Sequence, residues 1–215
     1  YKHLKKINTK MPIEKKIIIF DLDGVLINSL RNMQISWNLV SRKYYLNISF
    51  QKYKKNIGLP FETILKKLNI QNNIKNIKQS YNYNSTKNFN KIKLYPNVVS
   101  VLKYLKKKEY LTAVITSKDK ERANKIIKLL NLNFKYVYTP SKLIRSKPYP
   151  DQILKILKKE KIKKKNCYYV GDMSIDAKFA KNAGVNFIFT KYGYESKRVK
   201  SKINLKSFND LKKIF

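Results

Sequence analysis

The run Lys16-Ile17-Ile18-Ile19-Phe20, cut off by Asp21-Leu22-Asp23-Gly24, constrains this chain more than any other stretch. An uninterrupted β-branched apolar run lacks the alternation of a half-exposed strand and reads as a strand buried on both faces. Two carboxylates and a glycine cannot extend such a strand through a core, so strand passes abruptly into loop. Four further runs have strand character: Leu111 to Ile115, Lys135 to Tyr138, Cys167 to Val170 and Asn186 to Phe189. Between most of them, apolar residues recur at helical spacing, over residues 98–108, 119–130, 151–160 and 175–183, the last ended by Gly184. Strands alternating with helices predict an α/β fold, a parallel sheet of about five strands flanked by helices.

Residues 31–94 break that rhythm. Ile35, Leu39 and Val40, then Ile64, Leu65 and Leu68, follow helical spacing, and no buried-strand run occurs among them. The expected organisation is a core formed by 15–30 and 95–215, with a small all-helical insert over 31–94 placed after the first strand. Gly58-Leu59-Pro60 marks a turn between insert helices and Pro96 the return to the sheet. Residues 1–14, rich in lysine, are set apart as a lead-in of uncertain standing.

Composition excludes several classes of chemistry. One cysteine, Cys167, rules out an intrachain disulfide, and one histidine, His3, leaves no material for Cys/His zinc sites or Ser-His catalysis. No run of 18 apolar residues occurs and no signal-like segment stands at the start, so the expectation is a cytoplasmic chain with no membrane partner. The formal net charge of +36 invites a nucleic-acid reading. However, 44 of the 49 basic residues are lysines, spread along the whole chain among Asn, Ile and Tyr, and only five are the arginines that fork onto bases and phosphates. Compositional bias accounts for the charge better than a binding patch does, and nucleic acid ranks low as a partner.

Against that bias the acidic residues stand out. Of 13 in the chain, four form two tight groups, Asp21/Asp23 and Asp172/Asp176. In an open parallel sheet, the loops at the carboxyl ends of the strands converge on a ligand crevice. Asp21 and Asp23 follow the first strand there, Thr116-Ser117 the second, Lys147 the third and Asp172/Asp176 the fourth. Carboxylates gathered so closely need a cation, and hard oxygen donors suit Mg²⁺ with a substrate phosphate. A hydroxyl and an ammonium beside them suit phosphoryl oxygens. A carboxylate nucleophile, a divalent ion and a fixed ammonium together point to phosphoryl transfer through an aspartyl-phosphate.

These four elements, in this order, resemble the haloacid dehalogenase (HAD) superfamily, and the insert resembles its helical cap of the C1 type. The resemblance spans about residues 16–192 and implies a Rossmann-like core. It implies Asp21 as nucleophile, Asp23 as general acid/base and Thr116 as a holder of the transferring phosphoryl group, with Ser117 and Gly24 beside it. Lys147 would neutralise charge between Asp21 and the phosphoryl group. Asp21, Asp172 and the Asp23 carbonyl would bind Mg²⁺, with Asp176 in direct contact or one step behind. Dehalogenases in this superfamily lack an acid at the position of Asp23, so the implied activity is that of a phosphatase or phosphomutase.

β-Phosphoglucomutases carry a His after the first motif and an Arg in the cap loop. The corresponding positions here are Met33 and Phe61, which argues against mutase chemistry. Gly58-Leu59-Pro60 and Tyr192-Gly193-Tyr194 resemble phosphoglycolate phosphatases instead. The expected function is hydrolysis of a small anionic phosphomonoester, of the phosphoglycolate or sugar phosphate class. A β-phosphoglucomutase-like mutase and a basic nucleic-acid-binding protein, or phosphatase of nucleic-acid ends, stand as alternatives. Monomer and dimer are both open.

Overall fold

The computed structural model describes residues 14–195 and 199–215. The expected lead-in, apart from Glu14, lies outside the described residues, as do His3 and Arg198. Strand β1 (Ile17–Phe20) is central and wholly buried, as its uniform apolarity demands. Side chains alternate across the sheet: Ile18 and Phe20 join one apolar cluster, and Ile17 and Ile19 the other. Burying each such side chain contributes about 1.5–3 kcal/mol, so this strand ties two layers of helices together.

β1 pairs in parallel with β4 (Leu111–Ile115) on one side and β6 (Cys167–Gly171) on the other. Outward from these lie β5 (Tyr136–Tyr138), β7 (Asn186–Thr190) and β8 (Ile203–Leu205). The order is β5-β4-β1-β6-β7-β8, and every pairing is parallel. The sheet thus has six strands rather than about five. The extra one, β8, is a three-residue edge strand in a Lys- and Ser-rich stretch, too short and too exposed to show as an apolar run.

The flanking helices follow the expected spacing. α5 (Val98–Lys107) and α6 (Lys120–Leu129) cover one face, and α7 (Asp151–Glu160) and α8 (Ser174–Ala183) the other. Gly184 ends α8 with φ +70°, a left-handed turn that glycine adopts without strain.

The segment between β1 and β4 holds α1 (Leu30–Lys43), α2 (Phe50–Lys54), α3 (Phe61–Lys67) and α4 (Ile74–Lys87). These pack around a separate apolar cluster built on Trp37, Leu65 and Tyr81. The segment is not wholly helical. A two-residue strand, β3 (Lys93–Leu94), pairs antiparallel with β2 (Ile27–Asn28), so a short ribbon carries the chain into and out of the helices. Two residues per strand are too few for any alternating pattern in the sequence. Among the described residues, no helix is long and apolar enough to cross a membrane.

Candidate active site

The site lies where the strands β1, β4 and β6 end. The ladder runs one residue past each of two strands: Asp21 N–H donates to the Val170 carbonyl at 2.9 Å, and Thr116 N–H to that of Tyr138 at 3.0 Å. Asp21 and Thr116 therefore sit just past the carboxyl ends of two inner strands, on backbone held by the same ladder, with their side chains buried.

Behind Asp21, three buried carboxylates converge. Asp21, Asp172 and Asp176 each offer an oxygen within 4.8 Å of the others'. Lys147, itself 4 % exposed, lies between two of them, with Nζ 2.8 Å from Asp176 Oδ1 and 3.0 Å from Asp21 Oδ1. The contact with Asp21 has ion-pair distance without hydrogen-bond alignment. The rings of Tyr169 and Phe179, 5.2 and 6.0 Å from Nζ, pack on the ammonium. Burial opposes the charge on Lys147, but Asp176 and Asp21 outweigh it and hold the ammonium firmly protonated. Burial pushes Asp21 up to about 7, partly offset by Lys147 and reinforced by Asp176 and Asp23. Burial, then Asp176 and Asp21, raise Asp172 as well.

The carboxylates differ in what remains for a ligand. Both oxygens of Asp176 are engaged: Oδ1 by Lys147, Oδ2 by the N–H groups of Asp172 (3.2 Å) and Met173 (3.1 Å) at the start of α8. Asp172 Oδ2 accepts from Tyr194 N–H at 2.6 Å, while its buried Oδ1 has no hydrogen-bond partner. Asp21 Oδ1 is likewise buried without a hydrogen bond. Asp21 Oδ1 has at least the Lys147 ammonium beside it, but Asp172 Oδ1 has neither hydrogen bond nor ion pair and costs free energy unless a cation meets it. The all-oxygen donor set of the two carboxylates fits a hard divalent ion. Asp176 fits the part of holding Lys147 and the loop in place behind that pair.

Glycine makes this crowding feasible. Gly24 has φ +81°, and a Cβ there would lie 2.0 Å from Asp172 Oδ2; at Gly193 it would lie 2.2 Å from Asp172 Cβ. Gly24 thus packs against the carboxylate cluster, outside the lining of the cavity beside it.

Asp23 is gripped from two sides. Ser29 Oγ–H donates to its Oδ1, and Lys118 Nζ stands 3.1 Å from its Oδ2. Ser29 is fixed in turn by its backbone N–H, which donates to the Tyr194 hydroxyl at 2.7 Å. Tyr194 therefore touches both carboxylate groups, Asp172 through its backbone and Asp23 through Ser29. Burial lowers the Lys118 pKa, with Asp23 countering it.

In front of Asp21 and Asp23 lies a cavity of about 50 Å³ between sheet and helices. Thr116, Ser117, Lys118 and Arg122 line it from the sheet side; Met33, Tyr53, Phe61 and Tyr81 wall it from the helical side. Space of that size admits a few waters at most. Ser117 Oγ–H donates to the Gly58 carbonyl at 2.6 Å, tying the two sides together. The Ser117 hydroxyl is thereby engaged with the Gly58 loop, whereas Thr116 Oγ1 accepts from Lys118 N–H at 3.2 Å.

The structure brings Asp21, Asp23, Thr116, Ser117, Lys147, Asp172 and Asp176 to one end of the sheet, with Gly24 against Asp172. Lys118, Arg122 and Ser29 also belong there and were not singled out from sequence; Tyr194 belongs there too, marked in the sequence by the Tyr192-Gly193-Tyr194 resemblance and not as a site residue. Lys118 follows Thr116-Ser117 directly, yet it is one lysine among 44. Lys118 and Lys147 are the buried lysines among the described residues, a distinction only the fold makes visible.

Known proteins bear on this geometry. The phosphoglycolate phosphatase of Pasteurella multocida is 29% identical over 195 residues, covering 83% of this chain and 87% of that one. The pyrophosphatase PpaX of Halalkalibacterium halodurans is 27% identical over 187 residues, covering 84% and 85%. Among solved structures, a predicted phosphoglycolate phosphatase from Haemophilus somnus superposes with TM-score 0.79 at 26% identity, covering 94% of this chain and 99% of that one. A hydrolase from Pseudomonas syringae shares the fold at TM-score 0.82 and 20% identity, over 93% and 97%. The family model of haloacid dehalogenase-like hydrolases matches residues 18–190, from the first buried strand to the end of β7. A match of that extent includes all four strand ends that build the site: the chain belongs to the haloacid dehalogenase-like hydrolases.

Proposed function

We propose that this chain is a Mg²⁺-dependent phosphatase that hydrolyses a small phosphomonoester through an aspartyl-phosphate on Asp21. The observation that carries the reading is the placement of Asp21. It is buried at the cavity floor, held on one side by Lys147, and no group among the described residues donates to its Oδ2. A carboxylate oxygen without a donor keeps its lone pairs for phosphorus.

In this reading Asp21 attacks the phosphorus and the ester oxygen leaves with a proton from Asp23. Asp23 then takes a proton from water as that water attacks the aspartyl-phosphate, so inorganic phosphate departs and both carboxyl groups return to their starting states. Ser29 and Lys118 orient Asp23 for both transfers. Thr116 and neighbouring N–H groups hold the phosphoryl oxygens, and Lys147 offsets their charge. Asp21 and Asp172 would hold Mg²⁺, with the Asp23 carbonyl; when bound, the ion neutralises carboxylate and phosphoryl charge as the two converge. Residues 31–94 act as the cap, closing over substrate to exclude water. A cytoplasmic setting, where small phosphate esters and Mg²⁺ are at hand, goes with this reading.

Phosphoglycolate is the preferred substrate class, supported by the names of the relatives, with sugar phosphates as the other class proposed. Met33 and Phe61 give the cavity apolar walls at the positions where a mutase would need a relay. The test is phosphate release from a panel of small esters, with Mg²⁺ and with EDTA, beside Asp21→Asn. Mg²⁺-dependent release that vanishes in the variant is expected. No release from any ester by folded wild type overturns the reading, and conversion of glucose 1-phosphate to glucose 6-phosphate replaces it with the mutase.

A further inference from the structure

Arg122 carries none of the chemistry just described, yet it is 5 % exposed and lines the same cavity as Asp21 and Asp23. A guanidinium is seldom buried without a purpose, because its desolvation must be offset. Here the offset comes from behind. Asp119, the N-cap of α6, accepts from Arg122 N–H at 3.1 Å through Oδ1 and from Arg122 Nε–H through Oδ2. The face of the group rests on the Tyr81 ring, 5.0 Å from centroid to Cζ. Nη1 reaches Ser85 Oγ only at 3.4 Å, and among the described residues Nη2 makes no hydrogen bond of ordinary geometry. The guanidinium is thus fixed at its Nε edge and its face, while its outer amino groups stay poorly used. An arginine so held binds a planar or tetrahedral anion without losing further side-chain entropy.

We propose that Arg122 is a specificity-determining residue that recognises a second anionic group, a carboxylate or a second phosphate, on the leaving portion of a short phosphomonoester. This rests on the phosphatase reading, which places the first phosphate at Asp21. The small cavity limits the distance between the two anions, and the apolar walls of Met33 and Phe61 give a neutral, hydroxyl-rich leaving group few partners. Lys118, which lines the same cavity, is already paired with Asp23. Arg122 also spans the two sides of the cavity through Tyr81 and Ser85, so a purely structural strut is the reading to be excluded.

The experiment uses three probes of similar size: 2-phosphoglycolate, inorganic pyrophosphate and 2-hydroxyethyl phosphate, whose tail is neutral. Binding is measured by calorimetry to the full chain carrying Asp21→Asn with Mg²⁺, and turnover is measured on the chain without that substitution. The two anionic probes separate a carboxylate tail from a phosphate tail. At least one of them is expected to bind roughly 10- to 100-fold more tightly than the neutral one, the range for charge-assisted hydrogen bonds. Adding Arg122→Met should shrink that ratio to within about threefold, and Arg122→Lys should restore part of it. Equal binding of all three probes by Asp21→Asn overturns the inference, as does an Arg122→Met loss that is the same for every probe. Binding preference without turnover by wild type would refute the phosphatase reading while upholding the role of Arg122.

Discussion

Replacing Lys147 by Met should expose how the site stores its charge. The ammonium is buried and touches Asp21 and Asp176 at 3.0 and 2.8 Å. Taking one partner from a buried ion pair typically costs about 3–5 kcal/mol, because the remaining charge is left unpaired. The cost here depends on pH in a direction the structure determines. Asp21 titrates near 7 in the folded chain, against an ordinary value of 3.8. In metal-free protein at pH 8 Asp21 is largely ionised, and Lys147 serves two carboxylates; at pH 5 Asp21 is protonated, and only the contact with Asp176 remains to be lost. The variant should therefore lose about 4 kcal/mol at pH 8 and about half that at pH 5. Urea unfolding in EDTA at both pH values measures this, followed by Trp37 fluorescence and by circular dichroism to check that the two transitions coincide. Equal losses at the two pH values, or a loss below about 1 kcal/mol at pH 8, would refute the account of Lys147 as the counter-charge of Asp21.

The same titration makes a prediction for the unaltered chain. Between roughly pH 4 and 7 the folded state keeps a proton on Asp21 that the unfolded state has released, so metal-free stability should fall as pH rises across that interval, by up to about 4 kcal/mol. Mg²⁺ should raise Tm more at pH 8 than at pH 5, and a Tm insensitive to Mg²⁺ at pH 8 would contradict a cation site at Asp21 and Asp172. Gly24→Ala drives a Cβ to within 2.0 Å of Asp172 Oδ2 at φ +81°. A loss of about 2–3 kcal/mol together with a weaker Mg²⁺-induced rise in Tm is expected, and Mg²⁺ titration by calorimetry checks it. Tyr194→Phe deletes the hydroxyl that fixes Ser29 while keeping the backbone bond to Asp172. kcat should drop about tenfold with KM little changed, and an unchanged kcat would remove Ser29 and Tyr194 from the orientation of Asp23.

The core of the fold was legible because burial and chemistry coincide along the chain. β1 is apolar at every position since helices cover both its faces, and β4, β6 and β7 inherit the same demand from their neighbours. β8 was not legible, because an edge strand of three residues needs apolarity at few positions and Ile203 and Leu205 do not stand out in a chain rich in isoleucine and lysine. The β2–β3 ribbon was hidden for a related reason. It is held by pairing between residues more than 60 positions apart, which no local pattern records.

Residues at the site divided along another line. Asp21, Asp23, Asp172 and Asp176 were conspicuous because a chain with 13 acidic residues has few to cluster. Lysine gives no such contrast, and Lys147 was identifiable only through its place after a strand and the family motif it matches. Lys118 also follows a strand, but it is one lysine among 44. Arg122 had neither advantage, since what sets it apart is burial against Tyr81 and Ser85 of α4, which arrives from roughly 40 residues upstream. The same fact explains why the charge of +36 says little about function. The cations that matter are the three that the fold withdraws from water among the described residues, Lys118, Arg122 and Lys147, and each is held by a carboxylate at the end of a strand or the start of a helix. A surface lysine can be exchanged at little cost. An ammonium or guanidinium buried against a carboxylate is costly to remove, because its partner is left unpaired, so substitutions at these three positions, rather than dilution of the surface charge, should decide activity.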